Sequence, residues 1–216
     1  MTISLFYDNI LVTFMRNMIN TIGIGLIAIS IPVEITLIAS GINWLNNNKS
    51  ISSPAVEIAD KSSKKWTCPD CTPEEKYVLK ELQSGTKIKD RNALATIMGN
   101  IKQESKFVAN ICEGGARVPY TDCHRGGYGI IQWTSKNRYL GLGQFANNYN
   151  CDPSTLECQT RYMINESIFQ RQLPDFEGSG RTVAQYMIPA YYWLGWGIRG
   201  PRDTYAYNYV NQMVYS

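Results

Sequence analysis

Apolar and polar positions divide the 216-residue chain into three zones. Residues 1–45 carry long apolar stretches. Asn17 to Val33 is uncharged and rich in Ile, Gly and Ala, and after Glu34 a second uncharged run reaches Asn48. Residues 46–65 are polar: an Asn-Asn-Asn-Lys-Ser stretch, then Ser and Pro, then Lys-Ser-Ser-Lys-Lys, a composition that buries little surface and reads as a linker. Residues 66–216 have the mixed pattern of a folded domain. Thr72-Pro73-Glu74-Glu75 is a capping box with proline at the first helical position, so a helix is predicted to about Gln83, stopped by Gly85. A second helix is expected from near Asp90. Ser154-Thr155-Leu156-Glu157 is a further capping box, opening a helix toward Asn165. No long alternating run argues for a large sheet, so the domain is predicted to be mainly α.

The second helix carries the most informative pattern. Leu94, Ile97, Met98 and Ile101 follow the i, i+3, i+4, i+7 spacing of one buried stripe. Glu104 falls on the same face, three residues beyond Ile101, while Lys102 and Lys106 point elsewhere. A carboxylate on an apolar face is expensive unless it serves a purpose. An apolar setting would disfavour its ionised form and raise its pKa, which suits a general acid. A helix-end glutamate turned back to solvent is the plain alternative.

Composition narrows the field. The net charge of +3 is small, and no block of Lys/Arg with interleaved aromatics follows residue 66, so nucleic acid is not an expected partner. The six cysteines fall in closely spaced pairs, Cys68 and Cys71, Cys112 and Cys123, Cys151 and Cys158. Local disulfides in an oxidising compartment or an extracellular particle are the natural reading. Free thiols and zinc are the rivals, but only one CxxC and one histidine, His124, are present to make a zinc site. No metal or cofactor is expected.

Ile97-Met-Gly-Asn-Ile-Lys-Gln-Glu-Ser105, followed by Gly127-Tyr-Gly-Ile-Ile-Gln-Trp-Thr134 and then Arg138, resembles the phage tail lysozyme family within the lysozyme and lytic transglycosylase superfamily. The resemblance spans roughly Ala93 to Ala206. It implies a lysozyme-like domain over residues 66–216, with Glu104 as catalytic acid/base and the second block as the cleft wall opposite. Ser105, Tyr128, Gln132 and Trp133 are then candidates for substrate contact. Gln132 offers an amide for sugar hydroxyls and N-acetyl groups; Tyr128 and Trp133 could stack on sugars or brace the wall from behind. Tyr191, in the aromatic segment Tyr191-Tyr-Trp-Leu-Gly-Trp196, is a further candidate, although this segment and Arg202-Asp-Thr-Tyr-Ala206 match the family's closing pattern only loosely. A loop from Val108 to Gly126, bounded by Cys112 and Cys123, is inserted between the two motifs and holds Glu113, Asp122 and His124.

The implied substrate is peptidoglycan, cut at the muramyl–glucosaminyl bond by a virion enzyme that opens the host wall during genome delivery. Either a lytic transglycosylase using Glu104 alone or a hydrolase with a second carboxylate fits; Glu113 and Asp122 are the nearest in sequence. A catalytically idle structural or wall-binding virion protein is the competing class. Residues 17–45 are too apolar to stay in water. Pro32 and Glu34 favour packing against other virion (tail) proteins over a bilayer, with membrane contact as the alternative.

Overall fold

The capping box at Thr72 forms as the sequence implies. Thr72 Oγ1 accepts from the Glu75 N–H at 3.3 Å, and the Glu75 carboxylate accepts from the Thr72 N–H at 2.9 Å. It starts helix α1, Pro73–Gly85, in a computed structural model that describes residues 64–216. Helix α2, Arg91–Ser105, begins at Asp90, whose carboxylate accepts the N–H groups of Asn92 and Ala93. It ends where Lys106 and Phe107 both turn to positive φ. Five further helices follow: α3 (Lys136–Tyr149), α4 (Leu156–Asn165), α5 (Ser167–Phe176), α6 (Val183–Leu194) and α7 (Arg202–Gln212). The cap of α4 is Thr155, not Ser154. Ser154 instead accepts the N–H of Tyr120, which belongs to the inserted loop.

The only strands among the described residues are β1 (Trp66–Thr67) and β2 (Val214–Tyr215), paired antiparallel with Trp66 opposite Tyr215. The domain is therefore mainly α. None of its described helices is long and apolar enough to cross a membrane. The expectations for residues 1–45, and for all but the last two residues of the linker, fall outside the described region.

Helix α2 is central. Leu94, Ile97, Met98 and Ile101 are buried as their spacing predicts, but so are Thr96, Gly99 and Asn100 on other faces. The helix is enclosed, with α6 and α7 packed against it. Its approach to α7 depends on Gly99: a Cβ there would lie 2.6 Å from the backbone nitrogen of Ala206. An alanine would have to push one helix off the other.

All six cysteines pair locally as disulfides, Cys68–Cys71, Cys112–Cys123 and Cys151–Cys158, in keeping with their close spacing. The second of these closes the inserted loop. There Ile111 bridges Arg117 and Cys112 bridges Tyr128, so the loop is laid along the Gly-Tyr-Gly block by backbone pairing.

Candidate active site

Glu104 stands in the last turn of α2, its side chain 16% exposed. Its partner comes from far along the chain. Arg202, the first residue of α7, donates from Nη2 to Glu104 Oε1 at 2.6 Å. The same guanidinium donates from Nη1 to the carbonyl and the side-chain oxygen of Asn100, each at 3.3 Å. One of its faces lies 4.6 Å from the centre of the Trp196 ring. Glu104 Oε2 has no hydrogen-bond partner among the described residues. The apolar pocket expected from the stripe is thus corrected: the nearest group to the carboxylate is a cation. Asn100 is wholly buried, and its amide also donates to the Thr96 carbonyl at 2.8 Å. It organises the interior and has no surface for substrate.

Ser105, Tyr128 and Trp133 lie behind the site. Ser105 is buried and donates to the Ile130 carbonyl at 2.8 Å, tying the end of α2 to the Gly-Tyr-Gly-Ile-Ile block. Tyr128 and Trp133 are each 0% exposed, so neither ring offers a face to a sugar. Tyr128 meets Tyr120 and Tyr139 edge-on and donates to the Val118 carbonyl. Trp133 donates to Glu166, whose carboxylate takes both arms of Arg138 at 2.6 and 2.7 Å. All three side chains make interior contacts, the alternative to substrate contact already open for Tyr128 and Trp133. The sequence could not separate the roles, because an aromatic in a motif looks the same facing sugar or core.

Gln132 and Tyr191 keep accessible surface. Gln132 is half-buried in a left-handed conformation, φ 53°, and donates to the carbonyl of Gly129 at 3.0 Å. Gly127 permits this fold-back: a Cβ there would sit 2.8 Å from the Gln132 Cβ. Tyr191 is 48% exposed on α6, with its ring centre 5.4 Å from that of Trp196. Tyr191, Trp196, Arg202 and Glu104 therefore form a chain of contacts running from an exposed aromatic to the carboxylate. Arg202 and Trp196 were absent from the residues expected at the site. Their signal was the aromatic and Arg-Asp-Thr-Tyr-Ala segments, whose meaning depends on α7 docking onto α2.

Of the other acidic candidates, Glu113 is exposed yet fixed, its carboxylate accepting the Gly127 N–H at 2.9 Å. Asp122 is exposed and accepts only from Thr121 among the described residues. His124 is exposed. A polar groove of about 400 Å³ lined by Asn137, Arg138, Gln144, Tyr162 and Glu166 does not include Glu104. Geometry at the carboxylate, rather than cavity size, marks the site.

A second carboxylate also bonds to helix α2, through Lys102, but is built differently. Glu75 is 4% exposed. Its Oε1 receives Lys102 Nζ at 2.5 Å and the Tyr209 hydroxyl at 2.6 Å, while Oε2 receives the Thr72 N–H. Burial opposes its ionised form, but the bonds from Lys102, Tyr209 and Thr72 outweigh burial and hold the carboxyl below its ordinary range. Burial, with the bond to Glu75, pushes the Tyr209 hydroxyl far above the usual tyrosine value.

The site is thus that of a mainly helical domain presenting one half-engaged glutamate at the end of an enclosed helix. The family model for phage tail lysozyme matches residues 74–185, and the chain belongs to that family. Membership implies a lysozyme-like, peptidoglycan-cleaving virion protein that acts on the cell wall. No curated protein and no solved structure matched the chain.

Proposed function

We propose that the protein cleaves the glycan strand of peptidoglycan at the muramyl–glucosaminyl bond, with Glu104 as general acid and then general base. The observation that carries this reading is the state of the Glu104 carboxylate, pinned through Oε1 and unclaimed at Oε2 among the described residues. In the first step Oε2 gives its proton to the glycosidic oxygen as the C1–O bond breaks, and the bonding pair leaves with that oxygen. In the second step Oε2 takes a proton from the hydroxyl that attacks C1. Where that hydroxyl is the muramyl 6-hydroxyl, a 1,6-anhydro ring closes; in the hydrolytic alternative water attacks C1 with the help of a second carboxylate and the product has a reducing end. Gln132 supplies amide contacts to the sugar and Tyr191 a ring for it to stack on. Ser105, Tyr128 and Trp133 keep the wall rigid behind them.

Residues 66–216 act as the catalytic domain, joined by the linker 46–65 to the segment 1–45, which packs against other virion (tail) proteins. This arrangement would deliver the enzyme to the host periplasm or cell wall at the point of genome entry. The test is release of soluble muropeptides from purified sacculi by the full chain and by Glu104→Gln. The variant should lose at least about two orders of magnitude in rate while remaining folded. Near-wild-type release by folded Glu104→Gln would overturn the assignment. Mass spectrometry of the wild-type products assigns the attacking hydroxyl.

A further inference from the structure

We propose that Arg202 is the positioning residue of the cleavage reaction: it holds Oε1 of Glu104 and thereby reserves Oε2 for proton transfer. This rests on the assignment of Glu104 given above. Arg202 lies beyond the residues 74–185 that the family model matches.

The guanidinium is fixed from several directions. Its side chain is 5% exposed, Nη1 is spent on Asn100, Nη2 on Glu104, and one face is covered by Trp196. The neighbouring Asp203 does not compete, because Arg199 engages both of its oxygens at 2.5 and 2.6 Å. The arrangement is also poor as a stabilising device. Arg202 Nε is buried with no hydrogen-bond partner, an exception among native buried donors. Removing a guanidinium from water for one ion pair rarely improves on an apolar side chain of similar volume. A purely structural position would be better served by methionine or leucine.

What the arginine does supply is direction. Its planar fork, anchored on Asn100 through Nη1, fixes where the Nη2 N–H meets Oε1 of Glu104, which a lysine, as a point charge, could not do while also holding Asn100. When Oε2 releases its proton, the negative charge appearing on the carboxylate is met at Oε1 by an N–H already in place, so nothing has to reorganise. When Oε2 takes the second proton, the same bond holds the group in register for the next cycle.

The experiment compares the full-length wild type, Glu104→Gln and Arg202→Lys for muropeptide release from sacculi, with thermal unfolding followed on each. Arg202→Lys should lower kcat at least about tenfold and leave the apparent KM within about twofold, the pattern of a misplaced catalytic group. Unchanged kcat, or a loss confined to KM, would overturn the proposal. Should Arg202→Lys not fold, ¹⁵N NMR of the arginine guanidinium groups in wild type and Glu104→Gln decides. Slowly exchanging Arg202 Nη protons that lose protection in Glu104→Gln are expected, and protection that is absent or unchanged overturns the proposal. Turnover by Glu104→Gln would sink the Glu104 assignment itself, whereas inactive Glu104→Gln beside a normal Arg202→Lys sinks only the role of Arg202.

Discussion

Two glutamates, Glu75 and Glu104, each bond to a cation across a helix packing, and they could be mistaken for equivalents. Glu75 has both oxygens occupied, by Lys102 and Tyr209 on one and the Thr72 N–H on the other. Glu104 has one oxygen occupied, by Arg202. The first has no lone oxygen left, and the second keeps Oε2 uncommitted among the described residues, as the proposed acid/base role requires. Neither burial nor the presence of a cation separates the two roles; the lone pairs left uncommitted do. Lys102 and Glu104 stand two residues apart on α2, so one helix turn serves both clusters.

The strongest way to break this comparison is to neutralise each carboxylate in turn. Glu104→Gln should lower sacculus cleavage by about a hundredfold or more while the domain still folds, whereas Glu75→Gln should keep turnover within a few-fold of wild type. A reversed pattern would exchange the two assignments. Next in size is the inserted loop. Replacing Cys112 and Cys123 by serine should cost roughly 3 kcal/mol in the chain-entropy account, read from denaturant midpoints, and loosen the Gly-Tyr-Gly block alongside. No loss of stability would mean the loop is held by its backbone bridges alone.

Glu75→Gln should cost about 2–3 kcal/mol, since it leaves Lys102 and Tyr209 facing a neutral amide. The pH dependence sharpens the point. The carboxyl of Glu75 is lowered in the fold from its reference value of 4.5, so its contribution is complete above that value and is lost as pH falls through the lower, folded value. Acid unfolding of wild type should show this loss and Glu75→Gln should not; parallel curves would contradict it. Smallest is Tyr191→Ala, expected to raise the apparent KM for sacculi about three- to tenfold with kcat retained, the scale of one aromatic contact. An unchanged KM would remove Tyr191 from the glycan path.

Much of this architecture was legible because its causes are local. The box at Thr72 acts within a few residues, and the stripe Leu94, Ile97, Met98 and Ile101 identified the inner helix and placed Glu104 at its end; the stop expected at Gly85 falls one residue later, at Thr86. The pairings of neighbouring cysteines were legible for the same reason. Arg202 was not, because its bond to Glu104 spans 98 positions of sequence and exists only once Gly99 admits α7. Nor did the motif reveal which way Tyr128 and Trp133 face, since period and residue type mark them as large and apolar and nothing more. The enclosure of α2 likewise exceeded its stripe, because Thr96, Gly99 and Asn100 are buried by helices whose docking no short window encodes.

The three disulfides join residues only 3, 11 and 7 positions apart. Viewed as a string, the oxidised chain has three small eyelets and no long-range crosslink among the described residues. Drawn out at up to about 3.3–3.6 Å per residue, it would forfeit little of its contour length and present no large closed ring to a narrow passage. The bonds discipline local geometry without tangling the thread. A domain built this way can be both stapled and linearised, a combination that long-range crosslinks forbid.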